Sequence, residues 1–428
     1  MAARTQEAQK FLRGSSQTFP NDMEATRRAS EVSTVKSIEV LEEAQKPIRK
    51  TKSQCRVVID LLLSSYLNLF LFFIPVAAWS YFGKWGDVPI FVLNFLAMMP
   101  LANLLGEATE SLAEHCGDTI GGLINATFGN AVEVIIAVFA LKKGEIALVQ
   151  SSLLGSMLSN LLLVLGCCFI ASHVGGASES SFSGRNAATN MSLLFVTSFA
   201  MLVPTYYQHA DIEESARKQE VLTISRISAI FLILMYLQLL LFQLYTHRTP
   251  PTVEDATETE ADVEDEDDEP PMSFWTSLAV LAVSTALVSV SSEFLVASVD
   301  GFTEKADINR SFVGIILLPI VGNAVEHVTA IKVALKNNME LALGVAVGSA
   351  TQISLFVVPF CVIAGWIMGQ PMTLAFPTFD AVTYVISIVI VYAIISNGTS
   401  NWLEGAMLLT LYCLIGVALL EMELGDGD

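Results

Sequence analysis

Outside two short charged segments, this chain runs for 356 residues with only 37 charged side chains, about one in ten. The exceptions are residues 1–56, which hold 18 charges, and residues 254–269, which hold 11. A soluble domain carries roughly one charged residue in four, so a soluble enzyme does not fit, and a mean hydropathy of +0.56 agrees. Apolar stretches of this length must satisfy their backbone polar groups internally and therefore fold as membrane-spanning helices. At roughly 20 apolar residues per span plus short loops, the 356 residues make about eleven or twelve spans. Single-span receptors and anchored enzymes are excluded.

Apolar runs bounded by Gly, Pro or charge predict spans near 57–80, 88–114, 119–141, 146–171, 187–205 and 221–245, then 273–300, 311–336, 340–367, 377–396 and 402–421. The expected organisation is a disordered cytosolic N-terminal tail (1–56), a first transmembrane span (57–87), a first repeat (88–246), a cytosolic acidic linker (247–271), a second repeat (272–421) and a short C-terminal tail (422–428). The first tail lacks the apolar core of a signal peptide and holds too many acids for a transit peptide. Its basic cluster, Lys46, Arg49, Lys50, Lys52 and Arg56, puts the N-terminus in the cytosol by the positive-inside rule. The linker, six spans later, is then cytosolic too. Lys142 and Lys143 fall on the far side, so the orientation rests on the tail. The net charge of −20 is concentrated in the linker and argues against a nucleic-acid partner. The six cysteines show neither metal-finger nor secreted-scaffold spacing and read as packing residues.

A repeat supplies the architecture. Gly129-Asn130-Ala131-Val132-Glu133 recurs as Gly322-Asn323-Ala324-Val325-Glu326, an offset of 193, and residues 129–163 match 322–356 at 11 of 35 positions without a gap. The copies fall in the third and eighth spans. Five spans apart, they enter the membrane from opposite faces. The expected fold is therefore an all-α polytopic membrane protein of about eleven helices: one N-terminal span plus two inverted five-helix repeats. Inverted repeats are a common plan of secondary transporters, which bind substrate near the midplane where the halves meet.

Glu133 and Glu326 need a reason to exist inside apolar helices, where a carboxylate survives mainly by facing a cavity or a partner. Neither half offers an obvious buried Lys or Arg. Asn130 and Asn323 each precede their Glu by three residues and so share its helix face. Two carboxylates and two amide oxygens about a pseudo-two-fold axis suit Ca²⁺, which takes six to eight hard oxygen ligands. Mn²⁺ accepts the same oxygens and is a second candidate. Ser152, Ser156, Ser159 and Asn160 form a polar face on the fourth span, and Ser349 and Gln352 another on the ninth. Such groups also bond helix to helix with no further role. His327, beside Glu326, reads as a packed residue, a proton carrier or a tuning group. Glu107, Glu110, Glu114, Glu293 and Asp300 on the second and seventh spans are placed to line access paths, with Glu110 and Glu293 as proton-transfer candidates; Glu107, Glu114 and Asp300 lie near span ends and read equally as wetted surface.

At these positions the sequence resembles the vacuolar Ca²⁺/cation–proton exchangers of fungi and plants, a branch of the Ca²⁺/cation antiporter superfamily. The resemblance lies in Pro100-Leu101-Ala102 to Glu110, in Gly121-Gly122-Leu123-Ile124-Asn125-Ala126-Thr127-Phe128-Gly129-Asn130 with Glu133, and in Ile320-Val321-Gly322-Asn323-Ala324-Val325-Glu326-His327. It covers about residues 57–421. It implies that Glu133 and Glu326 are cation and proton ligands, flanked by Asn130 and Asn323, and that His327 matches the family histidine. It also implies a regulatory role for the acidic segment, here Glu264, Asp265, Glu266, Asp267, Asp268 and Glu269. Val132 departs from the pattern, where many members have Thr.

The expected function is antiport of cytosolic Ca²⁺ for lumenal H⁺ across the vacuolar membrane, with Ca²⁺ and protons competing for the same carboxylates in a site open alternately to each face. The expected binding set is Glu133, Glu326, Asn130, Asn323, Ser156, Ser349 and Gln352, the first four as metal ligands. No cofactor is expected, and neither GxxxxGK[ST] nor DKTG occurs. An intramembrane metallohydrolase lacks its HExxH motif. The nearer alternative is a passive cation channel with an acidic pore.

Overall fold

The computed structural model describes residues 53–211, 213–246 and 272–421. The expected linker, with Glu264 to Glu269, the C-terminal tail and residues 1–52 of the N-terminal tail lie outside the described residues.

Two short helices come first, α1 (Gln54–Leu63) and α2 (Tyr66–Phe82), bent by 98°. Ser65 lies between them in extended conformation and accepts a hydrogen bond from Leu67 N at 3.3 Å, which ends one helix and caps the next turn. The span expected at 57–80 is therefore a broken pair that begins at Gln54. Six helices follow: α3 (Asp87–His115), α4 (Gly117–Phe128), α5 (Ala131–Lys143), α6 (Ile146–Val174), α7 (Gly184–Tyr207) and α8 (Glu214–Thr246). Six more follow the linker: α9 (Phe274–Ala306), α10 (Arg310–Gly322), α11 (Ala324–Leu335), α12 (Met339–Met368), α13 (Thr378–Ile395) and α14 (Trp402–Glu421). Two-residue strands β1 (Ser180–Ser181) and β2 (Thr399–Ser400) pair antiparallel and join the repeats.

Among the described residues, eight helices are long and apolar enough to cross a membrane, and counting the bent pairs α1–α2 and α10–α11 as one span each makes ten. The eleventh expected span is the pair α4 and α5, of 12 and 13 residues, each short of a full crossing.

The 193-residue offset relates the helices around the two breaks. Adding 193 carries α5 onto 324–336, where α11 lies, and α6 onto 339–367, where α12 lies. The break at Gly129–Asn130 lands on the break at Gly322–Asn323. Even the π turn within α6, Ser159–Val164, lands on the one within α12, Ile353–Val357, to within a residue at its start. Packing then exchanges partners across the symmetry. α5 packs on α9 and on the C-terminal half of α12, while α11 packs on α3 and on the C-terminal half of α6. α3 and α9 lie against each other along much of their length.

With no hydrophobic drive between helices in lipid, close approach depends on small residues. Gly166 of α6 and Gly405 of α14 meet this way: a Cβ on Gly405 would lie 2.6 Å from the Gly166 carbonyl. α6 is the most enclosed of the spans and α8 and α14 the least, so the central helices carry the polar side chains. Cys168 and Cys361 are buried as expected of packing residues, but Cys55 and Cys413 are exposed.

Candidate functional site

Each repeat breaks a helix immediately before its carboxylate. Asn130 (φ −105°, ψ 25°) and Asn323 (φ −95°, ψ 15°) leave helical geometry, so Glu133 and Glu326 fall in the first turns of α5 and α11. The free N–H groups and dipole of a helix start favour a carboxylate there. Glu133 is buried and neither of its carboxyl oxygens has a hydrogen-bond partner. Glu326 is half-buried, and its Oε2 is likewise sealed and unpaired. No ion pair among the described residues involves either one.

The two copies interlock at the breaks. A Cβ on Gly322 would stand 2.9 Å from Glu133 Oε1, so the carboxylate of the first repeat rests on the helix break of the second. Beside it, Ser152, Ser156, Leu318 and Gly322 enclose a cavity with room for about one water molecule.

Polar side chains tie the repeats together around this point. Asn160 Nδ2 donates to Ser349 Oγ at 3.2 Å, Ser349 Oγ to Asn130 Oδ1 at 3.5 Å, and Asn130 Nδ2 to Gln352 Oε1 at 3.0 Å. In return, Asn323 Nδ2 donates to the Ser156 carbonyl at 3.3 Å and leaves its own Oδ1 free. His327 Nε2 pairs with Ser159 Oγ at 3.1 Å. The structure thus brings together Glu133, Asn130, Ser156, Asn323, Ser349, Gln352, Glu326 and His327 on four helices of two repeats. Among the described residues, no three His, Cys, Asp or Glu side chains form a metal cluster; a cation here would be held by two carboxylates and amide and hydroxyl oxygens.

The outlying candidates sit elsewhere. Glu110 and Glu293 are exposed, and Lys143 Nζ donates to the Glu293 carbonyl at 3.4 Å. Glu107, Glu114 and Asp300 are exposed as well. Asp300 pairs with Arg310, which also reaches Glu145 Oε2 at 3.1 Å. Ser159 and Asn160, which the sequence left open between a polar face of the site and simple helix contacts, bond to His327 and Ser349. The offset itself was the signal, because 193 residues before Gln352 stands Ser159.

Comparison with known proteins gives the family and the fold. The model of the sodium/calcium exchanger protein family matches residues 87–245 and 276–420. The vacuolar calcium ion transporter of Schizosaccharomyces pombe is 41% identical, over 84% of this chain and 85% of that one. The Ca²⁺/H⁺ antiporter of Aphanothece halophytica is 43% identical, over 81% of this chain and 94% of that one. The solved structure of native YfkE superposes with a TM-score of 0.68 at 33% identity, covering 82% of this chain and 99% of that one. That of the H⁺/Ca²⁺ exchanger CAX shares the fold at 12% identity, with a TM-score of 0.62. This chain belongs to the sodium/calcium exchanger protein family.

Proposed function

We propose that this protein is a Ca²⁺/H⁺ antiporter of the vacuolar membrane that moves cytosolic Ca²⁺ into the lumen in exchange for protons. One observation carries the reading: two carboxylates without a basic partner, each just after a helix break and related by the 193-residue offset, lie where the repeats meet, and Glu133 lines a small cavity there with Ser156 and Gly322. Relatives named as vacuolar calcium transporters and Ca²⁺/H⁺ antiporters support the ions and the membrane.

The charges of Glu133 and Glu326 together balance one Ca²⁺. Asn323 Oδ1, already free, and Asn130 Oδ1, weakly engaged by Ser349, add neutral oxygens, with Ser156, Ser349 and Gln352 completing the hard donor set that Ca²⁺ takes. When Ca²⁺ leaves, the same carboxylates hold protons instead. Ca²⁺ and H⁺ are therefore never carried together, and that exclusion is the coupling. His327, fixed by Ser159, stands next to Glu326 to receive or deliver its proton. Residues 88–246 and 272–421 act as the two moving halves, and the acidic residues Glu264 to Glu269 sense cytosolic Ca²⁺ between them. The sealed carboxylates and one-water cavity favour this exchange over the wide acidic pore of a channel. The test is Ca²⁺ uptake into proteoliposomes under an imposed pH gradient: uptake against the Ca²⁺ gradient should occur and should stop with a protonophore.

A further inference from the structure

One more carboxylate lies inside the membrane bundle and takes no part in the site above. Asp380, in the first turn of α13, is 3% exposed, its Oδ2 is sealed, and it makes no hydrogen bond or ion pair among the described residues. An unpaired acid buried within a membrane-spanning helix is rare without a function. One turn along, on the same face of α13, stands Tyr384, 1% exposed and with its hydroxyl unpaired as well. That hydroxyl lies beside Thr197 of α7 and Ser354 of α12. Both of these donate their own protons to backbone carbonyls, Thr197 to Leu194 O and Ser354 to Thr351 O, each at 2.9 Å, so each hydroxyl oxygen can still accept a hydrogen bond. Ser354 belongs to the π turn of α12, two residues from Gln352, the partner of Asn130. π turns concentrate at functional positions. Asp380, Tyr384 and Ser354 thus form a succession of polar groups from the start of α13 to the α12 segment that carries Gln352.

The surroundings leave Asp380 nothing to neutralise but a proton. α13 packs on α6, α7 and α14, and no charged group of these helices acts on Asp380. Tyr384 stands one turn along, and His209 Nε2 pairs with Thr378 Oγ1 at 3.4 Å at the very start of α13. The repeat gives no equivalent: 193 residues earlier stands Ala187, so this group is an addition to one half only.

We propose that Asp380 is a third proton-carrying carboxyl group of the exchanger, taking up and releasing its proton by way of Tyr384 and Ser354, apart from the Glu133–Glu326 pair. The inference rests on the Ca²⁺/H⁺ antiport reading. Two protons on the pair against one Ca²⁺ make a neutral cycle, and a third proton on Asp380 makes each cycle move one net charge.

Purified full-length protein in proteoliposomes, with the pH gradient fixed and the membrane potential clamped by K⁺ and valinomycin, tests this. In the wild type the equilibrium Ca²⁺ ratio should change about tenfold for each 59 mV or so of clamped potential, the value for one charge. In Asp380→Asn the ratio should become independent of potential while pH-driven uptake remains. Tyr384→Phe should slow uptake without changing the ratio. A wild-type ratio indifferent to potential, or an Asp380→Asn ratio that still follows it, overturns the proposal. Should Asp380→Asn not reconstitute, Asp380→Glu must keep the potential dependence and shift its pH midpoint, and an unshifted midpoint overturns it equally. Absence of any pH-driven Ca²⁺ uptake by the wild type would instead defeat the antiport reading itself.

Discussion

Gly322 and Glu133, 189 positions apart in the chain, touch: the first Cβ-sized atom added to the glycine would lie 2.9 Å from the carboxylate. Glu133 lines the one-water cavity beside it, so pushing the carboxylate aside alters that cavity. Gly322→Ala should therefore weaken Ca²⁺ affinity by about 10–100-fold, the range seen when residues supporting a metal ligand are changed. Membrane insertion and yield should stay near wild type. Radiolabelled Ca²⁺ uptake as a function of Ca²⁺ concentration checks it.

Glu133→Gln and Glu326→Gln keep the size of the side chain but remove both the charge that meets Ca²⁺ and the proton that replaces it. Each should reduce pH-driven uptake to the level of empty liposomes with the protein still monodisperse on gel filtration. Uptake that survives in either variant and still collapses with protonophore would remove that residue from the site. Asn130→Ala and Asn323→Ala should raise the Ca²⁺ concentration for half-maximal uptake more than they lower the maximal rate.

The Ser159–His327 hydrogen bond joins the repeats at 3.1 Å beside Glu326. Ser159→Ala frees the imidazole to reorient, so the pH optimum of exchange should move while Ca²⁺ binding at fixed pH changes little. A double-mutant cycle with His327→Ala should give a coupling of about 0.6–1.7 kcal/mol, the range for such bonds inside membranes. A coupling of zero would make the contact incidental.

Replacing the eleven acids between Glu254 and Glu269 with Ser and Gln should change the dependence of uptake on cytosolic Ca²⁺ and leave the proton requirement intact. If the Ca²⁺ dependence is identical, the segment is only a connector kept extended by its own charge.

The repeat made much of this molecule readable in the sequence, because a fixed offset transmits structure as well as identity: Gly129–Glu133 and Gly322–Glu326 announce two equivalent helices whose carboxylates have no basic partner nearby. Helix breaks were less visible. Hydropathy averages over about 20 residues, so the turn at Ser65 and the interruptions at Asn130 and Asn323 vanish inside apolar windows. The face pattern of Ser152, Ser156, Ser159 and Asn160 was sound up to Leu158, after which the π turn rotates the helix. Ser159 and Asn160 still reach the second repeat, through His327 and Ser349. Asp380 escaped notice because it sits at the start of a strongly apolar span, where a single acid reads as a wetted end; only its burial in the folded protein shows that it is enclosed.

The symmetry of the chain is not matched by symmetry of contact, and that mismatch dates the conformation. On one side α6 is pressed to α10 so closely that a Cβ on Gly155 would lie 2.5 Å from the Ile315 backbone, and Ser151 fills the space above Gly314. Their counterparts at +193 and −193 are Gly348 with Gly122, and Gly344 with Gly121, and nothing lies within 4 Å of a Cβ on Gly344 or Gly348. One contact is tight and the space at its counterpart is open. An exchange of roles between the repeats during transport would bring the four glycines of the counterpart together and part the first contact. A bulky side chain at position 348 is thus invisible to the state described here and intolerable to its mirror: Gly348→Leu should bind one Ca²⁺ yet deliver none, a clock stopped at half past the hour.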